Sequence, residues 1–482
     1  MKSASMVRPG SFEPEKHFYS RVLNAQIHPI VRHFLALGRE RIVNRYCHLH
    51  PGTDRDCLQR VLKYECKQLR WAGADLINVA PEKGLKKMVV IETNSCPSGQ
   101  KSMPLRNEDH EQGGYASLVE KVFAPYIKGK KKFSGNLAVI YDKNQMEASG
   151  YAAAMADYFE QPVFLTTFYD NEHDPSVRFR EGYMEIRDAE GNWNQIQAAI
   201  RYVTQKPWNR IPIRTKTKIL NPVVGCLAGG RNKLVAAKAY EFLNAELSGT
   251  GLQIQMPTTV YDVSKGSIPM IIRSMGGFGV VKIPYSNAGQ GVFTIVNEAE
   301  LEAFMDAEYS YDQFIVQSLI GNYSWSSRGP DGQLFHVGTV PNKRNELYVA
   351  DLRMMVGSGP EGFSPISIYG RRALAPLAEE IQGSDNSWSM LGTNLSIKRE
   401  DGGWDSDTSR LILMDTKDFN SVGIGVDDLI DGYIQTVLSV MAIDQMAVQL
   451  INSKGKLKSK LFRSLNSDAR LESEFIIDEN YD

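Results

Sequence analysis

The stretch from residue 136 to 166 limits the fold most. Asn136-Leu-Ala-Val-Ile-Tyr141 is a short apolar run, residues 146–159 carry helix-like spacing, and Gln161-Pro-Val-Phe-Leu-Thr166 is apolar again. Strand, helix and strand in such quick succession predict a βαβ unit, because parallel neighbours need a crossover and a helix supplies it. A basic run, Lys128-Gly-Lys-Lys-Lys132, comes just before. It reads as a solvated linker in preference to a phosphate-binding patch and sets a boundary near residue 130.

Around this unit the chain divides further. Residues 16–71 carry helix-spaced apolar positions that predict two helices. Ala74-Asp-Leu-Ile-Asn-Val-Ala80, the turn Pro81-Glu-Lys-Gly84 and Met88-Val-Val-Ile91 predict a hairpin whose second strand ends at Glu92. A helix is expected over 232–247, then strands at 270–272, 279–283 and 292–295, a helix over 299–307 and an apolar strand at 314–316, together a small α+β lid. Strand-like pieces follow at 334–340, 348–356 and 410–414, then a helix over 426–450. The charged tail after Ser453 reads as weakly ordered. At 482 residues the chain exceeds what one core serves, so lobes around a cleft are expected. The segments are 1–130, 131–231, 232–320 and 321–482, with no internal repeat.

Hydrophobic residues make up 42% and charged residues 23%, as in an ordinary globular enzyme, and the formal net charge of -1 gives no global field to attract nucleic acid. The 5 cysteines are too sparse for a secreted disulfide framework. The N-terminus lacks an apolar signal core, and no apolar run approaches the roughly 20 residues of a membrane span. These features predict a soluble cytoplasmic protein without membrane or nucleic-acid partners. A homodimer is admitted, the oligomeric state being left open.

Two segments carry chemistry. In Gly276-Gly-Phe-Gly-Val-Val-Lys282-Ile-Pro-Tyr-Ser286-Asn287-Ala288-Gly289-Gln290-Gly291 a strand delivers a lysine just before a small-residue loop. Glycines let backbone N–H groups converge on an anion, and Lys282 adds a point charge; the alternative is a glycine-bearing hairpin with a surface lysine. Neither a P-loop nor a dinucleotide fingerprint is present in the expected context. In the second segment Glu92 and Asn94, two apart on an extended strand, share a face. Asp75 approaches them across the hairpin, and these hard oxygen donors suit Mg²⁺. A strand end with a turn-forming Asn before Cys96-Pro-Ser-Gly99 would explain the same residues.

Together, and in this order, the two segments resemble the ATP-grasp superfamily. Because the metal strand precedes the lid, the resemblance is to circularly permuted members such as glutathionylspermidine synthetase and eukaryotic glutathione synthetase. Arg201-Tyr-Val-Thr-Gln-Lys-Pro-Trp208, Asn221-Pro-Val-Val, Asn232-Lys233 and Phe314-Ile-Val-Gln-Ser-Leu-Ile320 follow the same order, so that the likeness spans about residues 70–330. It implies an ATP-grasp fold, α/β and α+β, with a βαβ lobe like the pre-ATP-grasp domain and a small lid. It implies Asp75, Glu92 and Asn94 as Mg²⁺ ligands, Lys233 and Lys282 as ATP lysines and Ser286 to Gly291 as the phosphate loop. Gln317, Ser318, Leu319 and Ile320 would form an adenine hinge. Arg353, in Asp351-Leu-Arg, stands where such enzymes often carry an arginine for the phosphoryl and tetrahedral states; an ion pair with Asp351 is the plainer reading.

The implied activity is a carboxylate–amine ligase using ATP and Mg²⁺ through an acyl phosphate. Its partners are a small carboxylate, an amino acid or peptide, and an amine. A phosphotransferase or a non-catalytic nucleotide-binding module are the alternatives. For substrate, Arg201 and Trp208 could hold a carboxylate and wall a pocket, or pack an interdomain loop. Ser95, Ser98 and Gln100 could hydrogen-bond substrate or serve as caps and turns. Adjacent Arg371 and Arg372 on a strand face opposite ways, so one at most reaches substrate, and Arg371 is the candidate. Cys47-His-Leu-His50 has no second pair at zinc spacing and reads as a helix end, and His336 reads as structural.

Overall fold

The computed structural model describes residues 2–107, 110–127, 134–170, 172–206, 208–286, 289, 291–329, 332–381, 386–398 and 404–473. The basic run at 128–132 lies outside them. Asn136–Tyr141 pairs in parallel with Val163–Thr167 on one side and with Trp193–Tyr202 on the other, and helix Gln145–Phe159 makes the crossover. The expected βαβ unit is therefore present. Lys218–Leu220 continues the parallel run, while Val177–Arg180 and Tyr183–Arg187 extend it as antiparallel strands. Ser5–Val7 closes the other edge against Val163–Thr167, so the start of the chain joins this sheet.

A second, antiparallel sheet forms around the hairpin. Trp71–Pro81 pairs with Lys87–Ser95 on one side and Leu347–Gly359 on the other, followed by Gly362–Arg372 and Leu411–Ile412. The second hairpin strand runs on past Glu92 to Ser95, because its pairing with Ala72 and Gly73 continues beyond a bulge at Ile91. Helix Val426–Leu450 packs across the sheet, burying Leu429, Tyr433, Val437 and Val440 along one stripe. Inside that contact Asp444 accepts N–H bonds from Lys67, Gln68 and Leu69, the last two at 2.7 Å, and a hydroxyl bond from Tyr64 at 2.8 Å. A buried carboxylate so satisfied fixes the turn that leads into Trp71–Pro81.

The third sheet is the lid, ordered Thr259–Ser264, Gln313–Gln317, Gly279–Lys282, Val292–Ile295, with its own apolar core. Residues 268–274 form a helix where a strand was expected. Pro269 suits a first helical turn, and Ile268 and Ile272, four apart, bury one face that alternation cannot supply. The N-terminal region is broken into Pro29–Ala36, Arg39–Leu49, Arg55–Lys63 and shorter turns, where two helices were expected. Residues Cys47 to His50 end the second of these, with the His50 ring tilted against Tyr46 at 4.2 Å. The tail is also more ordered than its charge suggests. Ser459–Leu465 and Ala469–Ser473 are helical, and Phe462, Leu465 and Leu471 are buried. No described helix is long and apolar enough to cross a membrane.

Candidate active site

A cleft of about 820 Å³ opens where the three sheets meet. Its floor is the antiparallel sheet, its roof the lid strand Gly279–Lys282, and one wall the carboxyl ends of the parallel strands, around Lys143 and Tyr202. Open α/β sheets bind ligands at such strand ends.

Strand register builds the floor. Glu92, Asp75, Arg353 and Tyr369 stand directly opposite one another on four adjacent strands, and Asp351 opposes Arg371 one step away. Opposed residues in antiparallel strands share a face, so this row converges without any loop to aim it. Arg353 grips Asp75 with both ends of its fork, Nε to Oδ1 at 2.6 Å and Nη2 to Oδ2 at 2.8 Å. Arg371 reaches Asp75 Oδ2 at 3.0 Å and also pairs with Asp351, Nε to Oδ1 at 3.0 Å. The partner of Arg353 is thus Asp75, and Asp351 belongs to Arg371. Burial pushes the Asp75 carboxyl up, but Arg353 and Arg371 outweigh it and hold the group well below the usual carboxylate range. Arg372 points the other way, over the Tyr348 ring at 4.7 Å.

The turn after Asn94 is held from behind by Glu147. Its fully buried carboxylate accepts from Ser98 Oγ at 2.7 Å, from the Gly99 and Gln100 N–H groups at 2.7 and 2.8 Å, and from Tyr202 at 3.1 Å. Gly99 is required there: its φ is +152°, and a Cβ would stand 2.3 Å from the Tyr369 ring. The Ser98 carbonyl then accepts from Tyr369 at 3.2 Å and Arg353 at 3.4 Å.

Two lysines stand near Glu92: Lys282 on the roof strand, and Lys233 on a helix of the main core, where it lines a smaller pocket beside the cleft. Asn232 caps helix Lys233–Glu246 by accepting from Val235 N–H, which sets Lys233 at the first helical position. Lys233 Nζ donates to the Ser286 carbonyl at 2.6 Å and lies 3.3 Å from Glu92 Oε1, tying the small-residue loop to the strand of Glu92. Lys282 is buried, with Nζ 3.4 Å from the Ile91 carbonyl; burial lowers its pKa to about 8, Glu92 opposing and Lys233 adding to the shift. Ser286 and Gly289 line the cleft, whereas Asn287, Ala288 and Gln290 lie outside the described residues. Gln317 to Ile320 also line it. The Leu319 N–H and carbonyl are both taken by Ser327, and the Gln317 Nε2 by Thr259, so the backbone of Leu319 is committed within the protein. His336, expected to be structural, lines the cleft beside this turn; burial lowers its pKa to about 4 against a bond to the Ile320 carbonyl, and its ring is neutral.

Whether these donors fit Mg²⁺ can be tested on their contacts. No group of three or more His, Cys, Asp or Glu able to hold a metal occurs among the described residues, so an ion here needs further oxygens, as Mg²⁺ usually takes from phosphates. Glu92 suits that part: its side chain keeps 26% exposure. Asn94 faces the same cleft; its Oδ1 accepts from Arg231 at 3.2 Å, while its Nδ2 is buried with no partner among the described residues. Glu92 fits a phosphate-completed ion, and Asn94 fits with it once its amide oxygen turns from Arg231 to the metal. Asp75 fits less well, since arginines hold both its oxygens.

Several expected substrate contacts lie elsewhere. Ser95 and Gln100 are buried off the cleft, Ser95 against Cys226, whereas Ser98 lines it with its Oγ bonded to Glu147. Arg201 is 1% exposed and spends its guanidinium on the Asn221 and Val203 carbonyls. Trp208 is part of the main core. The strand that carries Arg201 turns this residue inward, so a carboxylate cannot reach it. Arg201→Met should cost about 1–3 kcal/mol in chemical denaturation by stranding those carbonyls, with substrate KM unchanged. A raised KM at unchanged stability would return Arg201 to the substrate site.

Other cleft residues carried no motif. Lys101, Lys143, Arg231, Asp351 and Tyr369 all line it. Period 2 could have linked Asp351 to Arg353 and Tyr369 to Arg371, and a lysine just past a parallel strand was a signal for Lys143. Arg231 and Lys101 had none.

No family model matches the chain, and no curated protein matches it in sequence. Solved structures do. A RimK domain protein ATP-grasp from Sphaerobacter thermophilus is similar at 12% identity and TM-score 0.28, over 48% of this chain and 90% of that one. A glutathione synthetase-like effector from Globodera pallida, in its apo form, is similar at 8% identity and TM-score 0.39, over 72% and 86%. D-alanyl-alanine synthetase A from Vibrio cholerae is similar at 12% and 0.31, over 64% and 99%. These neighbours are ATP-grasp proteins.

Proposed function

We propose that the chain is an ATP- and Mg²⁺-dependent ligase that activates a small carboxylate as an acyl phosphate and passes the acyl group to an amine, releasing ADP and phosphate. We further propose a circularly permuted ATP-grasp arrangement, supported by the order of the metal strand and the lid along the chain. The observation that carries the reading is the convergence of Lys282 from the roof and Lys233 from a core helix on Glu92 of the floor. Lysines held around a carboxylate, beside a small-residue loop, suit a triphosphate.

In this reading Gln317 to Ile320 receive the base, and Ser286 to Gly291 close over the phosphates. Lys282 and Lys233 offset the negative charge that carboxylate attack on the γ-phosphate brings together. Mg²⁺, held by Glu92 and Asn94, would supply further neutralisation of phosphate oxygens. Arg353, fixed by Asp75, presents its Nη1 edge beside Ser98 to the transferring group, and the lid keeps water from the acyl phosphate. An amine then forms the C–N bond as phosphate leaves.

The test is ADP release across amino acid and small-peptide acids crossed with amines, with mass measurement of products. Amide condensation with equimolar ADP and phosphate is expected, and a stable phosphorylated product would make the protein a phosphotransferase instead. Glu92→Ala should abolish ADP formation with the thermal transition little changed, because Glu92 is part-exposed and its loss leaves Lys233 its bond to the Ser286 carbonyl and Lys282 its contact with the Ile91 carbonyl. Full activity in that variant would end the assignment.

A further inference from the structure

The cleft has two cationic groups, and the proposed chemistry uses only one of them. Lys282 sits in the field of Glu92, Lys233 and Asp75, on the roof side. Lys143 sits in the field of Arg231, Asp142, Arg353 and Lys101, on the wall formed by the parallel strands. Lys143 follows directly on strand Asn136–Tyr141 and Asp142, and has no hydrogen bond or ion pair among the described residues. Lys101 is 7% exposed; its Nζ contacts Asn144 Oδ1 at 3.4 Å and the Tyr19 ring at 5.1 Å, and although burial lowers its pKa, Glu147 and Tyr19 outweigh it and raise it.

The nearby carboxylates are engaged elsewhere. Asp142 accepts from the Thr204 and Gln205 N–H groups at 2.8 and 2.6 Å, Glu147 holds the 98–100 turn, and Asp75 is bound by Arg353 and Arg371. Lys143, half-buried in the cleft wall near an arginine and a second lysine and bonded to no described carboxylate, is a cation that an anion in the cleft would complete. Burial, with Arg231 adding to it, lowers the Lys143 pKa to about 8, as expected for a cation lacking its counter-charge.

We propose that Lys143, with Lys101 and Arg231, binds a second anionic group of the acyl substrate, a carboxylate or phosphate remote from the carboxylate that is activated. The substrate is then a dianionic acid, and a polyamine acceptor is repelled from this side of the cleft. The proposal rests on the ligase reading for the first carboxylate, and on the wall's own residues for the second.

Butyrate, glutarate and O-phosphoserine, titrated calorimetrically into protein saturated with Mg-ADP so that Lys282 and Lys233 are occupied, test it. Glutarate or O-phosphoserine should bind about tenfold or more tightly than butyrate, and the tighter of the two identifies the group. Lys143→Met should erase most of that preference and Lys143→Arg should keep it. Equal binding of all three acids by the wild type, or a preference untouched by Lys143→Met, would overturn the proposal. If Lys143→Met also loses Mg-ADP, the variant is damaged and the wild-type comparison decides alone. Dianion preference without ADP release from any acid would sink the ligase reading and leave the subsite standing. ADP release with butyrate as efficient as with glutarate would do the reverse.

Discussion

Lys282→Ala should lower ADP formation by about 10²–10³-fold, the usual loss when one positioned donor to developing charge is removed. Stability should scarcely change. The lysine is buried with a single long contact to the Ile91 carbonyl, and its depressed pKa says that the fold gains little from keeping it charged. Removing it deletes a desolvated cation and leaves Glu92 with Lys233, 3.3 Å away. Single-turnover ADP release, read beside a thermal melt, checks both halves. Activity within about tenfold of wild type would remove Lys282 from the phosphate site. A collapse of the melt would instead make it a structural residue.

Asp75→Ala should act in the opposite sense, costing about 3–5 kcal/mol in chemical denaturation, because it strands Arg353 and leaves Arg371 with Asp351 alone. The pH dependence follows from the depressed carboxyl. A group whose folded pKa lies below its unfolded value stabilises fully above the unfolded value and loses that contribution as pH falls through the folded one. The difference between wild type and variant should therefore be flat from neutral pH down to the ordinary aspartate range and shrink only in stronger acid. This outcome separates two roles. A Mg²⁺ ligand would lose activity with its stability intact, whereas an anchor for Arg353 loses both. Unchanged denaturation with lost activity would restore Asp75 to the metal set.

Several parts of the site were readable because they are local. Glu92 and Asn94 alternate on one strand, Lys282 ends another just before the glycine-bearing loop, and Asn232 caps the helix that starts with Lys233. Each depends on residues within a few positions, and period 2, loop chemistry and capping report them. The βαβ unit, the lid strands and the long helix over Val426–Leu450 were legible for the same reason. Residues 268–274 were not: a short apolar run serves a strand or a buried helix equally until Pro269 and the spacing of Ile268 and Ile272 are weighed together.

What remained hidden depends on partners far apart in the chain. Asp75 and Arg353 are 278 positions apart, and only strand register makes them opposite neighbours. The ordering of the tail likewise comes from distant contacts, Asn466 bonding both Asn232 and Tyr285 at 3.0 Å. By itself the sequence determined most element types and the order along the chain of the Glu92 strand, the Lys233 helix and the Lys282 loop, since these follow from spacing and side-chain class. Only the tertiary structure decided that Arg201 and Trp208 turn into the core, that Arg353 belongs to Asp75, and that Lys101, Lys143 and Arg231 meet at one wall. Which face a residue presents, and which charge it meets there, is settled by packing across sheets that no local pattern encodes.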